Sequence, residues 1–245
     1  MLTVRETLPR VSRLSNKFRL DRLIKIQNEI SKNVKFLKCR KPETIAGVDV
    51  GLKDKILVAS ITLFSYPEMH LINVVWALKK EKFPYIPNFL AFRELPVILK
   101  AYKKLNREPD LIFVDGQGIA HPRKCGIATH LGVILNKPTI GCAKSYLFGD
   151  FEMPAKERGK YKPIKFAGEK IGIVLRTRDD VKPIFVSPGN KVDFSDCIKY
   201  TLSTSRFRIP EPIRYAHIFA NDIIKNKKIF VELMDFRHNQ RRFDV

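Results

Sequence analysis

Cysteine is scarce in this 245-residue chain. There are four, Cys39, Cys125, Cys142 and Cys197, and no two form a CxxC pair. The five histidines add no zinc-ligand spacing. A disulfide framework and a structural zinc site are therefore not expected, and the thiols should be reduced. Long apolar runs are missing as well. No stretch approaches the roughly 18 apolar residues of a membrane span. Arg5 and Arg10 precede no apolar core of a secretory signal. These absences lead us to expect a cytoplasmic protein with no membrane partner. Internal repeats and low-complexity segments are lacking too. The last shortage is of negative charge: 25 Asp+Glu stand against 46 Lys+Arg, a formal net charge of +21.

Such an excess favours a polyanionic partner, most often nucleic acid. A solvated, charge-rich surface of the kind thermophiles carry would give the same total. Part of the excess is local, because residues 1–41 hold 12 Lys/Arg and only 3 Asp/Glu. We expect one domain spanning 1–245, with a basic N-terminal helix at about 10–40 and a basic C-terminal tail from Phe230 to Val245.

Within residues 18–37, Leu20, Leu23, Ile24, Ile26, Ile30 and Val34 broadly follow helical spacing with basic residues between them. Ile45–Gly51, 56–64 and 71–78 read as strands, with Tyr66-Pro67-Glu68 turning the chain between the last two. Leu95, Ile98, Leu99, Tyr102 and Leu105 then mark one face of a helix, with Pro96 expected in its first turn. A buried strand at 111–116, a loop and helix over 119–135 and a short strand at 137–141 follow. The order βββαβαβ predicts an α/β fold with an antiparallel meander leading into parallel strands. Residues 150–170 read as a surface loop or hairpin arm, 171–177 and 181–189 as a hairpin around Arg178-Asp179-Asp180, and 193–204 and 211–225 as helices.

Asp49 ends the first expected strand, Asp115 ends the fourth beside Gly116 and Gly118, and Glu94 heads the helix between them. Acids at strand ends beside glycines face ligands more readily than cores. Three carboxylates from separate elements suit hard cations, and two such ions about 4 Å apart support phosphodiester hydrolysis. The same acids could each serve as a cap or turn residue. His217, alone on a helix, reads more readily as a packed or solvated residue than as a ligand or proton carrier. Lys144, after TIGCA, could meet a phosphate or be one surface lysine among many. Tyr85, between Pro84 and Pro87, is a ring on a stiffened loop, and could simply pin that loop to the core.

Six stretches occur in order: IAGVDVG, FPYIPNFLAFRELP, DLIFVDGQGIAHPRKCGIATHLGV, KPTIGCAKSYLFG, VKPIFVSPGN and RIPEPIRYAH. The set resembles endonuclease V over roughly residues 45–150 and 171–225. The resemblance implies an RNase H-like mixed sheet flanked by helices. It implies a magnesium-dependent endonuclease, with manganese as a substitute, acting on DNA that contains deoxyinosine. The expected cut is the second phosphodiester bond 3′ to the hypoxanthine, leaving a 3′-hydroxyl and a 5′-phosphate to initiate repair. Some members prefer inosine-containing RNA, and a non-catalytic binder of deaminated nucleic acid is the rival from another class. We expect a monomer.

By resemblance, Asp49, Glu94 and Asp115 are the metal carboxylates, Lys144 meets the phosphate at the cut, and His217 lies near the second metal position. Pro84, Tyr85, Ile86 and Pro87 form a wedge whose ring fills the gap left by a flipped base. Leu90, Gly116, Gly118, Ile119, His121 and Leu147 match the pocket for that base, with a loop-stabilising hydrogen bond as the alternative role for His121. Some positions depart from the usual pattern. Asn88 and Phe89 stand where glycine and leucine are common, Leu95 where glycine is, and Gln117 and Asn190 where histidine is.

Overall fold

The computed structural model describes residues 20–226. The expected N-terminal helix is shorter than its apolar spacing suggested: α1 runs Leu20–Lys32, and the chain from Val34 to Pro42 is irregular. Residues 10–19 of that expectation, and the tail from Phe230, lie outside the described residues.

The next three strands, β1 (Thr44–Lys53), β2 (Ile56–Ser65) and β3 (Leu71–Lys80), form the antiparallel meander read from the sequence. Nine of the ten β2 residues are buried, as expected of a strand covered on both faces. Helix α2 (Leu90–Tyr102) leads to β4 (Leu111–Val114), α3 (Ile127–Leu135) and β5 (Thr139–Ala143). Both β4 and β5 join the sheet in parallel, β4 against β1 and β5 against β4.

The sheet then continues through β6 (Asp150–Phe151), β7 (Tyr161–Phe166), β8 (Glu169–Leu175) and β9 (Ile184–Asn190). Its nine strands are ordered β3-β2-β1-β4-β5-β9-β8-β7-β6. The hairpin expected around residues 178–180 is the β8–β9 pair. The segment 150–170 is more ordered than a surface loop. Strand β7 pairs with β8 across a tight turn at Ala167-Gly168, both with positive φ. Only Ile164 of β7 is fully buried, and Lys162, Pro163 and Lys165 lie between its terminal Tyr161 and Phe166, charges and a proline of the kind that blunt a sheet edge.

Alternating side chains divide the core. Ala46, Val48, Ile112 and Val114 face α2 and α3, where Leu95, Val97, Ile98 and Leu131 meet them. Ile45, Leu111, Phe113 and Ile140 point to the opposite face, covered by α4 (Phe194–Ser203) and α5 (Glu211–Lys225) through Tyr200 and Ile213. A side chain on β1 that shares the parity of Ile45 therefore looks towards α5. Asp49 has that parity.

Candidate active site

Asp49 does not end its strand, as expected from the sequence, because β1 stays paired with β2 as far as Lys53. What ends there is the parallel pairing: Val48 opposes Val114, and the Asp115 amide donates to the Val48 carbonyl at 3.0 Å. Asp49 and Asp115 thus emerge side by side at the C-terminal edge of adjacent parallel strands, where open α/β sheets present ligand-binding groups. Glu94 approaches from α2. That helix begins at Leu90, so Glu94 lies in its second turn and Pro96 in its interior rather than at its head. Pro96 is exposed, and its ring costs the Phe92 carbonyl a helical partner. The buried Ala91, Leu95, Val97, Ile98 and Ala101 hold the helix together regardless.

The acids feel one another. Burial raises the Glu94 carboxyl to about 8, with Asp49 and Asp115 adding to the rise and Arg93 opposing it. Asp115 is raised by burial and then by Asp49, while Lys144 and His217 pull it down. Each aspartate has a polar partner. Lys144 Nζ lies 2.5 Å from Asp115 Oδ2, and His217 Nδ1 lies 2.7 Å from Asp49 Oδ2. Asn221 Nδ2 is 2.9 Å from His217 Nε2. An amide nitrogen can only donate, so Nε2 accepts and Nδ1 carries the proton directed at Asp49. Among the described residues no group of three His, Cys, Asp or Glu is arranged to hold a metal. The donor set itself suits one: Asp49 raises the proton affinity of both Glu94 and Asp115, and hard oxygen ligands match magnesium or manganese.

The loop carrying Tyr85 crosses the mouth of this site. Tyr85 is 62% exposed, so it does little to pin the loop to the core. That task falls to the residues around it. Phe83, Ile86 and Phe89 are buried in a cluster with Leu20, Leu23 and Ile24 of α1 and Phe92 of α2. The Arg93 guanidinium lies 5.9 Å from the Tyr85 ring centre and is anchored by Glu81 at 2.7 Å.

A cavity of about 310 Å³ opens beside the loop. Tyr85 and Leu90 line one side, and Asp115, Lys144 and Leu147 another. Of the expected pocket residues, Leu90, Gly116, His121 and Leu147 line it, while Gly118 and Ile119 are not among its lining residues. Their amides are engaged behind its wall, Gly118 N with Ser187 Oγ at 2.9 Å and Ile119 N with the Pro188 carbonyl at 2.8 Å. A Cβ on Gly118 would come within 2.1 Å of the Pro188 oxygen, so close backbone packing requires glycine there. Gly116 has φ +154°, and a Cβ there would meet Ile127 at 2.5 Å. His121 makes the loop hydrogen bonds foreseen as its alternative role. It lines the cavity, yet Nε2 is 3.0 Å from the Asn88 carbonyl and Nδ1 accepts from the Arg123 amide at 3.1 Å. Burial lowers its pKa to about 4, so the ring is neutral.

The family model of endonuclease V matches residues 25–218. This chain belongs to the endonuclease V family. An endonuclease V from Petrotoga mobilis is 47% identical over 204 residues, covering 82% of this chain and 92% of that protein. The crystal structure of an endonuclease V from Streptomyces avermitilis superposes with a TM-score of 0.80 at 34% identity, over 85% of this chain and 94% of that one. The endonuclease V of Ciona intestinalis, crystallised with a 24mer DNA containing an inosine followed by a ribo-adenosine, gives a TM-score of 0.75 at 27% identity. That match covers 84% of this chain and 98% of the other. The fold is thus the RNase H-like sheet of endonuclease V structures, and the chain is a nuclease that hydrolyses phosphodiester bonds. Among the described residues no helix is long and apolar enough to cross a membrane.

The departures from the endonuclease V pattern have structural explanations. Asn88 has φ +67°, in the left-handed region that glycine enters freely and asparagine tolerates. Phe89 is buried beneath the Arg123 guanidinium, 4.7 Å from its ring centre. Leu95 fills the core between α2 and the sheet. Gln117 Nε2 donates to the Ser145 carbonyl at 3.2 Å. Asn190 Nδ2 donates to the Gly132 carbonyl at 2.9 Å, and its Oδ1 accepts from the Lys35 amide at 3.0 Å. Sequence reasoning missed Gln27 altogether. It is 1% exposed and lines the cavity. The signal was there to find: Gln27 falls on the stripe of Leu20, Leu23, Ile24, Ile30 and Val34, a polar residue where the spacing asks for an apolar one.

Proposed function

We propose that this endonuclease V acts on nucleic acid containing hypoxanthine, initiating repair of deaminated adenine in DNA. It cuts the second phosphodiester bond on the 3′ side and leaves a 3′-hydroxyl and a 5′-phosphate. The observation that carries this reading is one cavity lined by both the exposed Tyr85 and the acid Asp115. A base leaving the stack would find its socket next to the ring able to replace it and next to the group able to act on its backbone. The volume is at the lower end for small-molecule sites, which span about 300–1,000 Å³. Extruding a poorly paired base costs a few kcal/mol, and stacking of a ring in the gap returns about 1–3 kcal/mol.

Asp49, Glu94 and Asp115 are the residues that would hold magnesium, with manganese as a substitute. Such an ion supplies Lewis-acid stabilisation of charge on the phosphoryl oxygens and eases ionisation of the attacking water. Lys144, whose side chain is partly exposed, turns from Asp115 to the scissile phosphate. His217, held by Asn221 with its proton on Nδ1, orients the water near Asp49. Buried carboxylates and fixed donors of this kind stabilise charge that develops in the transition state.

The test is a nicking assay with and without magnesium on three substrates: a duplex with one deoxyinosine, its unmodified twin and an inosine-containing RNA. A magnesium-dependent nick in the first alone supports the reading. Cleavage of the RNA alone keeps the chemistry and moves the substrate to RNA. Tight binding with no cleavage of any substrate overturns the reading in favour of a binder.

A further inference from the structure

Helix α1 has a single fully buried residue, and it is the polar Gln27. Its apolar neighbours Leu20, Leu23 and Ile24 are only partly buried, all against the cluster beneath the Tyr85 loop. Burying an amide without partners costs free energy, so a helix that buries one and no large apolar side chain does so for its hydrogen bonds. Gln27 Nε2 donates to the Asn88 carbonyl at 2.8 Å and faces the Cys125 carbonyl at 3.3 Å. Its Oε1 accepts from Arg123 Nε at 2.6 Å. The Asn88 carbonyl also receives His121 Nε2 at 3.0 Å and Arg123 Nη2 at 3.2 Å. Three donors from two other segments converge on one oxygen of the Tyr85 loop. That oxygen belongs to the residue with φ +67°, the pivot between Tyr85 and the start of α2.

The geometry points to Gln27 as the positioning residue of the wedge: through the Asn88 carbonyl it fixes the Tyr85 loop in register with the base cavity. Gln27 lines the cavity, but both ends of its amide are engaged by protein, so it acts through Asn88 rather than by reading the base. It bonds to none of Asp49, Glu94 and Asp115. Loosening the knot therefore shifts the ring and leaves the cutting groups in place. The inference rests on the proposed wedge and cavity, and it assigns to α1, outside every segment that carries the family motifs, control over lesion discrimination.

The test compares wild type with Gln27→Met, which keeps the volume and removes the amide. Gln27→Glu is the second variant, keeping an acceptor for Arg123 but offering Asn88 no donor. Steady-state cleavage of the deoxyinosine duplex is measured together with the fluorescence of a 2-aminopurine beside the lesion, which reports unstacking. Both variants should raise KM by about tenfold, the worth of roughly one net buried hydrogen bond. They should lower the 2-aminopurine signal at saturating protein and leave kcat within about twofold. Unchanged KM and fluorescence in both glutamine variants would overturn the inference, as would equal losses in kcat and kcat/KM with KM unmoved. If wild type itself ignores the deoxyinosine, the functional reading falls and takes the inference with it. A wild type that prefers the lesion while its glutamine variants match it sinks the inference alone.

Discussion

Lys144 Nζ stands 2.5 Å from Asp115 Oδ2, so the cation assigned to the phosphate and the acid assigned to the metal begin as partners. Asp115 is largely buried beside Asp49, and an acid so placed needs a positive neighbour to stay ionised. The pair gives two separable expectations. Asp115→Ala should abolish cleavage while lesion binding survives, read by gel shift beside the nicking assay. Lys144→Met should lower kcat by about 100-fold, as loss of one oriented charge donor does, and change KM little. Equal cleavage by Asp115→Ala would defeat the assignment.

Tyr85 is exposed on a loop that other side chains anchor. Tyr85→Ala should therefore leave the melting temperature nearly unchanged. It should weaken binding to the deoxyinosine duplex by about tenfold or more, from a stacking loss of about 1–3 kcal/mol. Binding to unmodified DNA should change far less. A uniform loss on both duplexes would mean the ring supports the loop and not the lesion.

Gly118 packs against the backbone of β9, with no room for a methyl group before the Pro188 oxygen. Gly118→Ala should destabilise the fold by about 2 kcal/mol or more, because backbone rather than a flexible side chain must move. Chemical denaturation measures this directly, and a wild-type midpoint would contradict the packing argument.

His130 of α3 is buried edge-on against Phe92, and its Nδ1 has no hydrogen-bond partner among the described residues. Burial lowers its pKa from 6.5 to about 4. The folded state thus keeps the ring neutral where the unfolded chain has already taken up a proton. Stability from this group is complete above about pH 6.5 and is lost as pH falls towards 4, at roughly 1.4 kcal/mol per pH unit at most. His130→Leu should flatten the fall in denaturation midpoint over that window. An unchanged slope would show that His130 does not titrate this way.

Much of the architecture was legible because its causes are local. The β-branched runs of β1 to β3 are punctuated by turn residues, and a fully apolar LIFV could only be a buried strand. Asp49 and Asp115 were visible as carboxylates close to glycines after apolar runs. What escaped depends on distant parts of the chain. Strand β7 buries only Ile164 and borrows its order from β8. The head of α2 is set by aromatic packing of Phe83, Phe89 and Phe92 against α1, which overrode Pro96 as a marker of the first turn. Gln27 was legible as a polar residue on the α1 stripe, but its partners were not, because Asn88 and Arg123 lie 61 and 96 residues away.

The most direct measurement is the position of the cut on an end-labelled duplex carrying one deoxyinosine, resolved beside a sequencing ladder with and without magnesium. The account predicts a single magnesium-dependent nick at the second phosphodiester bond 3′ to the lesion, lost in Asp115→Ala. A nick that ignores the lesion, or one that persists in Asp115→Ala, would contradict it.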